Sequence, residues 1–549
     1  MKISLIGAFC NDFIIGCNNT LPWDNSEDMK FFREMTLNKI IIMGKNTFES
    51  MNSKGLKNRF NIILHRITHN HVIVRDGIYC FHTTTNNLIE NIKNNKPSNI
   101  EDEIFVIGGA KIYNLFLDNF KVDEIYLNVI KSPILKVETE CVKFPYHKLT
   151  NKFRMISYTK GETVNYMKFV RLEKETDNCY EELIEDILKS NDFPFELQKE
   201  SFRETASDIP AEKSIQNIEQ EIATEIPFEV QKEKGIRRDR TKVGTIGVFG
   251  KTLRYNLQNG FPLITTKLMG WKSIMKELLF FLRGDTNTKI LEQPPISVTI
   301  WKGNTTREFL DNRGLHDYPV GEMGPMYGYV WRHYGKETGK EFDQLEYVID
   351  LLKNDPYSRR IIMTTYSPLY LEKSVLMPCH GIVVQFYVSQ FSPSTTIHRD
   401  FHDEIEKASA SQFSISSDIH DNPRRIDVKQ TEEQDNINQK NLSLLVYCRS
   451  QDVALGTPYN IASYAMMLHI VAKKVDMQPY ELIMNLGDTH IYSNHIENTI
   501  KQIKNNPYPF PIFNVSDDVK TKDWNDLSID DFSIDGYYSH EKINYQMAI

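Results

Sequence analysis

Several signals that would place a chain in a specialised class are missing from this sequence. No uninterrupted apolar run approaches the roughly 20 residues of a membrane span, which excludes an ordinary spanning helix. A basic excess is absent as well. Sixty-five Lys and Arg stand against 73 Asp and Glu, a formal net charge of -8. A general electrostatic attraction to nucleic acid or anionic membrane is therefore excluded, and any phosphate chemistry must rest on local arginine clusters. Cysteine is sparse: there are seven, with no CxxC pair, and an odd count speaks against a disulfide framework. These features point to a reducing, cytoplasmic compartment, where a free thiol can be kept as a nucleophile. The opening MKISLIGAFCND has one lysine and a short apolar stretch. Asn11 and Asp12 break that stretch and no small-residue cleavage site follows, so it reads as a buried first strand rather than a signal peptide.

What is present is a large globular chain. Its 549 residues, 40% hydrophobic and 25% charged, exceed what one core supports, so at least two domains are expected. Residues 1–172 alternate β-rich runs (KISLIGAF, KIIIMG, FNIILHR, EIFVIGG, DEIYLNVI) with helical stretches, the pattern of a mostly parallel α/β sheet. Tyr166 to Leu172 reads as a closing strand. Residues 173–179 form a short polar link, and YEELIEDIL, Tyr180 to Leu188, has helical apolar spacing. Residues 189–234 are acidic and polar, with a near repeat, FPFELQKE at 193–200 and IPFEVQKE at 226–233. Two copies are too few for a solenoid, and the segment reads as a duplicated surface insertion. A second interruption, 390–439, is rich in Ser, Asp, His and Asn. Its His398, His402 and His420 fit no common zinc spacing. Strand-like VVQFYVS and LSLLVYC flank it, so it takes the place of a hairpin turn.

In the N-terminal half, LPWDNSEDMKFF places Pro22 and Trp23 in a loop and then opens a helix. Asp24 and Ser26 are the better caps, which frees Asp28 for another role. A carboxylate beside Phe31 and Phe32 is costly without a partner, and a ligand with a cationic or amidine-like edge supplies one. IMGKNTFES follows a strand and starts a helix, with Lys45 and Thr47 near a phosphate-binding end. In FVIGGAKIYN, paired glycines allow close backbone approach to a pyrophosphate, and Lys111 adds charge.

These residues resemble dihydrofolate reductase along nearly all of 1–172. The resemblance implies that Asp28 holds the pterin and promotes protonation at N5. It implies that Ile6, Phe32, Leu56 and Ile107 line the folate pocket, and that Arg59 pairs with the glutamate carboxylate of folate. Gly44, Lys45, Thr47, Arg66, Gly108, Gly109, Lys111 and Tyr113 would hold NADPH, with Arg66 at the 2'-phosphate. IIGCNNTLPW resembles the mobile lid over the nicotinamide. One position departs from the family: Asn128 stands after IYL where threonine is common, and an amide still offers a donor.

In the C-terminal half, Cys379 lies in PCHGIVVQFYV, before a strand-like run. Arginines stand in RRDRTKVGT, NDPYSRRIIM and YCRSQDVALGTPYN. A converging set would bind a dianion and depress a nearby thiol pKa. His380 is adjacent to Cys379, but neighbours on a strand face opposite ways, so a direct Cys–His pair is not expected. With GFPLITTK, KELLFFLRGDTN, GPMYGYVWRHYG and GDTHIYSNH, residues 235–549 outside the second insertion resemble thymidylate synthase. The resemblance implies that Cys379 attacks C6 of dUMP. Arg240, Arg449 and Ser450 would hold the phosphate, and Arg359 and Arg360 would reach the phosphate of a partner subunit. Asn460 would orient the uracil near Asp452, and His490 and Tyr492 the ribose. Glu277, Tyr327 and Asn304 would move protons and order water. Trp301 and Ile549 would pack on 5,10-methylenetetrahydrofolate.

The expectation is thus two α/β-type domains. The first, 1–172, is a reductase-like, mostly parallel twisted sheet with flanking helices. The second, 180–549, is a synthase-like α+β domain with a large sheet at a homodimer interface. Expected ligands are NADPH, dUMP, dihydrofolate and tetrahydrofolate, with no metal and no membrane. The fused arrangement resembles that of protozoa and plants. The alternative is a half-active chain in which one domain is degenerate and only binds folate or nucleotide.

Overall fold

The computed structural model describes residues 1–65, 70–75, 78–131, 141–191, 193, 236–238, 241–390 and 440–547. Both long interruptions of the sequence pattern, 189–234 and 390–439, lie outside these apart from their first residues, as do the three histidines of the second.

The N-terminal half is built on a nine-stranded sheet. Its strands, with two short outliers, are β1 Lys2–Phe9, β2 Ile14–Cys17, β3 Ile40–Gly44, β4 Phe60–Leu64, β5 His71–Arg75, β6 Ile78–Thr83, β7 Glu103–Gly108, β8 Glu124–Ile130, β9 Cys141–Lys143, β10 Phe153–Lys160 and β11 Val164–Arg171. The order is β10-β11-β8-β1-β7-β3-β4-β6-β5. The six strands from β8 to β6 run parallel, and β5, β11 and β10 join antiparallel. Continuous apolar runs such as IIIMG, buried along its whole length, are what a sheet covered on both faces requires. Its helices are α1 Ser26–Thr36, α2 Lys45–Ser50, α3 Leu88–Asn95 and α4 Ala110–Asn119.

The segment β2 pairs with β9 in a separate ladder that sets Cys17 opposite Cys141. These two form a disulfide across 124 residues. The odd count of cysteines concealed this pair. Cys10, Cys80, Cys179, Cys379 and Cys448 are not disulfide-bonded.

The C-terminal half begins with α5 Cys179–Ser190. Its buried face, Tyr180, Leu183, Ile184, Ile187 and Leu188, packs into the second core. There follow β12 Thr245–Asn256, α6 Trp271–Arg283, α7 Lys289–Glu292, α8 Arg307–Asn312, α9 Gly328–Arg332, α10 Gln344–Asn354, β13 Ile362–Thr364, β14 Val383–Ser389, β15 Asn441–Asp452, α11 Gly456–Lys474, β16 Gln478–Tyr492, α12 Ile496–Ile503, β17 Ile512–Val515 and β18 Phe532–Asp535. The sheet order is β12-β16-β15-β14-β13. Only the β15–β16 pair is parallel. Ser389 pairs with Asn441, so the second interruption does join two neighbouring antiparallel strands. Helix α11 is buried nearly all round, as expected of a helix through the middle of a core.

The two halves meet through aromatic rings. Phe13 stacks on Tyr146 at 4.6 Å and meets Tyr508 and Tyr538 of the C-terminal half at 5.1 and 5.5 Å. Tyr508 and Tyr538, with Ile512, pack against the N-terminal core itself. Polar contacts ring the cluster: Arg154 donates to the Gln258 carbonyl at 2.9 Å, Thr150 to the Pro507 carbonyl at 2.6 Å, and Lys160 pairs with Asp535. The segment between β11 and α5 is tied down as well. Thr176 N–H donates to the Asn151 carbonyl, and Asn151 Nδ2 to Asn178 Oδ1.

Candidate active sites

The first site lies between α1 and the central strands. Asn25, not Asp24 or Ser26, caps α1, its side chain accepting from the Asp28 N–H at 2.9 Å. Three neighbouring residues are all good caps by type, and only the backbone geometry separates them. Asp28 points inward and is buried. Asn128 on β8 donates Nδ2 to Asp28 Oδ1 at 2.7 Å, so the amide does serve as a donor. Burial pushes the Asp28 carboxyl above its usual range, while the Asn128 amide and the Trp23 indole pull it back. Ile6 is buried within a small apolar cluster, and Phe32, Leu56 and Ile107 pack half-buried around it. Arg59 is half-buried and committed to local carbonyls, with donations to Arg33 and Lys57 at 2.9 and 2.8 Å and to the Thr36 hydroxyl.

The residues expected to hold the cofactor sit where β3 and β7 run into helices. Gly44 and Gly109 are the caps of α2 and α4, with no side chain occupying the first-turn N–H groups. A side chain at Gly44 would strike Ile112 at 2.9 Å, and Gly108, at φ 109°, abuts the Tyr113 ring. Thr47 lies beside Gly109. Lys45 and Lys111 are exposed, Lys45 near Glu49. Tyr113 is buried, its hydroxyl donating to the Ile6 carbonyl at 2.8 Å. Arg66 lies outside the described residues. Free helix-start N–H groups, glycine at the closest approach and two lysines suit a nucleotide pyrophosphate.

The second site gathers side chains from well-separated segments. Gly328 makes this possible: a Cβ there would lie 2.0 Å from the Phe281 carbonyl oxygen, so only glycine lets α9 close on α6. That contact sets Tyr327, at φ 45°, against Cys379. The Cys379 N–H donates to the Tyr327 hydroxyl oxygen at 3.2 Å, which leaves the phenol proton for the thiol sulfur 3.6 Å away. Arg449 donates Nε to the Pro378 carbonyl at 2.8 Å and Nη2 to that of Met377 at 3.0 Å. It thereby clamps the segment leading into Cys379.

The sequence suggested that arginines would depress the thiol. Instead burial outweighs them and pushes the Cys379 thiol up, against the Tyr327 hydroxyl and the Arg449 charge. Desolvation of a thiolate acts on every buried thiol, whereas an arginine tied to carbonyls offers only part of its field. His380 is hydrogen-bonded with the Tyr464 hydroxyl at 2.7 Å and turned from the thiol. Burial pushes it down to about 3, so it is neutral.

Glu277 on α6 accepts from Trp301 Nε1 at 2.7 Å, and burial pushes its carboxyl up to about 7. Asn304 is buried in the turn after Trp301. Asp452 Oδ1 accepts from the N–H groups of Ala454 and Leu455, fixing the turn into α11. Ser450 and Asn460 are half-buried nearby on β15 and α11. His490, buried, is hydrogen-bonded to Asp488 at 2.9 Å and meets Tyr492 edge-on. Arg359 and Arg360 are exposed just before β13 and are not brought to Cys379 within this chain. Arg240 and Ile549 lie outside the described residues. The segment before Ile549 is held: His495 Nε2 bonds the Gln546 carbonyl at 2.6 Å, and Asn498 donates to that of Asn544 at 3.0 Å.

The sequence reading overlooked Gln451. Its buried side chain accepts from Asn460. A glutamine inside an Arg-Ser-Gln-Asp run resembles any polar surface residue, and no local signal marks it.

A buried carboxylate held by an amide, glycine-capped helix starts beside it, and a half-buried thiol facing a tyrosine suit a two-centre α/β enzyme. The family model for dihydrofolate reductase matches residues 2–174, and that for thymidylate synthase matches residues 225–420 and 422–549. Similar full-length relatives are each described as a bifunctional dihydrofolate reductase-thymidylate synthase. That of Paramecium tetraurelia is 33% identical, covering 97% of this chain and 96% of the relative. That of Zea mays is 31% identical, covering 99% and 96%, and that of Plasmodium berghei (strain Anka) 31%, covering 93% and 83%. The chain belongs to the bifunctional dihydrofolate reductase-thymidylate synthase family. It joins an oxidoreductase and a methyltransferase in one polypeptide.

Proposed function

We propose that the C-terminal half methylates dUMP to dTMP with 5,10-methylenetetrahydrofolate, and that the N-terminal half returns the dihydrofolate so formed to tetrahydrofolate with NADPH. The observation that carries this reading is that each half keeps its reactive group in a prepared setting: Asp28 held by Asn128 at 2.7 Å, Cys379 by Tyr327 at 3.6 Å. Neither setting favours a degenerate half.

In the reductase, 1–172, NADPH supplies the hydride. Gly44, Lys45, Thr47, Gly108, Gly109, Lys111, Tyr113 and Arg66 form its cradle. Ile6, Phe32, Leu56 and Ile107 grip the folate, and Arg59 takes its glutamate carboxylate. Asp28 holds the pterin edge and governs the proton at N5.

In the synthase, 180–549, Cys379 as thiolate adds to C6 of the uracil, and C5 then attacks the methylene carbon; C5 loses its proton, the folate departs and returns a hydride to the methylene, and the thiolate leaves, giving dTMP and dihydrofolate. Tyr327 stabilises the thiolate by hydrogen bonding. Glu277, pushed up to about 7, exchanges protons near neutrality, with Asn304 ordering water. Arg240, Arg449 and Ser450 bind the phosphate, Asn460 and Asp452 the base, His490 and Tyr492 the ribose. Trp301 and Ile549 cover the folate.

We place the protein in the cytoplasm as a homodimer. Ile362, Tyr387 and Tyr447, 42%, 67% and 37% exposed, share one face of the five-stranded sheet by register. A second copy would cover them and receive Arg359 and Arg360 in its phosphate site. Sedimentation equilibrium reads this directly. Among the described residues no helix is long and apolar enough to cross a membrane.

The test of function uses one purified sample of the full chain. NADPH oxidation with dihydrofolate and dTMP formation from dUMP are followed in the unmodified protein, Asp28→Asn and Cys379→Ala. Each variant is expected to lose one activity and keep the other. Absence of either activity in the unmodified chain would restore the degenerate-half alternative.

A further inference from the structure

The Gln451 side chain is 2% exposed, among the least accessible polar groups near Cys379, and the reaction as described gives it no task. It stands on β15 one residue before Asp452 and reaches across to the first turns of α11. Its Oε1 accepts from Asn460 Nδ2 at 3.1 Å and from the Thr457 hydroxyl at 3.1 Å. Thr457 and Asn460, three residues apart, share one helix face. The opposite end, Nε2, is buried with no conventional hydrogen-bond partner among the described residues and lies at the Cys448 thiol. That thiol in turn receives the Gly381 N–H, two residues beyond Cys379. One side chain therefore connects the loop that carries the nucleophile to the amide of Asn460.

The consequence concerns which way the Asn460 amide faces. An asparagine amide has a donor end and an acceptor end of nearly equal shape, and only its partners decide between them. With Nδ2 occupied by Gln451 Oε1, Asn460 Oδ1 has no hydrogen bond among the described residues and is left as an acceptor for a ligand. Uracil presents a donor at N3 and an acceptor at O4. Cytosine presents an acceptor at N3 and a donor at N4. We propose that Gln451 is a positioning residue that fixes the Asn460 amide in the orientation that accepts a uracil N3–H and rejects a cytosine ring. The inference rests on the reading of Asn460 as the uracil-binding amide. A reversed amide would place lone pair against lone pair at the uracil O4 or donor against donor at N3, leaving buried polar groups unpaired.

The experiment compares KM and kcat for dUMP with inhibition by dCMP in the full-length chain, with dihydrofolate reduction by the same sample as the measure of folded protein. Gln451→Leu keeps the volume but removes both polar ends. It is expected to lower the preference for dUMP over dCMP by about tenfold or more, chiefly through KM. Gln451→Glu retains acceptor oxygens toward Asn460 and should keep the preference within about threefold of the unmodified chain. Equal weakening toward both nucleotides in Gln451→Leu would overturn the proposal, because a purely structural role moves both alike. Should that variant fail to accumulate, Thr457→Val removes one of the two donors that hold Gln451. A smaller fall in preference then supports the proposal, and an unchanged preference overturns it. Asn460→Ala separates the two levels of the argument. A preference unchanged in this variant overturns the reading of the site itself, whereas a preference lost here but kept in Gln451→Leu overturns only the role of Gln451.

Discussion

Asp28 and Cys379 are both pushed up by burial, with opposite consequences. For Asp28 the shift is useful, since a carboxyl that holds its proton more firmly is better matched to proton delivery near neutrality. The Asn128 amide and the Trp23 indole temper it. For Cys379, in the role proposed above, the shift is adverse, because a nucleophilic cysteine acts as its thiolate. Opposing it are a phenol 3.6 Å away, an arginine already engaged with two backbone carbonyls, and a backbone hydrogen bond of Cys379 itself. The reductase centre is thus set by local partners inside one core. The synthase centre waits for charge and contacts that its ligands bring.

The largest test of this contrast is the exchange of activities. Cys379→Ala should lower dTMP formation by on the order of a thousandfold or more and leave dihydrofolate reduction intact, and Asp28→Asn should do the reverse. A shared loss in either variant would mean that the centres are not independent. Next in size is Gly328→Ala. A Cβ placed 2.0 Å from the Phe281 carbonyl oxygen must push α9 off α6. Urea unfolding should report a loss of about 3 kcal/mol, with Tyr327 displaced and synthase turnover at least about tenfold lower. The reductase should be spared, and equal damage to both would deny that Gly328 acts locally.

Asn128→Leu removes the donor that lowers the Asp28 carboxyl. The pH profile of dihydrofolate reduction should then move upward, by up to about one unit. No movement would mean that the tempering comes from Trp23. The smallest effect is in stability. The Glu277 carboxyl rises from its ordinary 4.5 to about 7 in the folded chain, so the charged form is the disfavoured one. Stability is full below pH 4.5 and is lost as pH climbs toward about 7, with little further change above. Glu277→Gln should therefore gain on the unmodified chain across that window, by on the order of 2 kcal/mol at pH 8. A gain independent of pH would attribute it to packing.

The sequence carried the position of each reactive group because the relevant signals are short. Leu-Pro-Trp before a helix, Gly-Gly after a strand and Pro-Cys-His before a strand are all local. What it did not carry depends on how distant segments meet. Asp24, Asn25 and Ser26 are chemically equivalent caps, and the choice of Asn25 is made by one backbone angle. The rise of the Cys379 thiol follows from the closing of α6, α9 and α11 around it, which no spacing encodes. Cys17 and Cys141 are neighbours only because β2 and β9 pair. Tyr508 and Tyr538 read as ordinary aromatics until Phe13 and Tyr146 are laid against them. Gln451 gained meaning only from the two donors on α11.

The aromatic seam also bears on how such a fusion endures. A gene cut between β11 and α5 would release a reductase whose Phe13 and Tyr146 had lost their covering rings, leaving an adhesive patch. The C-terminal half has come to supply part of the N-terminal half's interior, so the reductase cannot be cut free without exposing it. Heredity would then run one way: joining needs a single recombination, whereas parting needs that recombination together with a repainted surface. The union persists as a ratchet even in a cell that gains nothing from having the two reactions side by side.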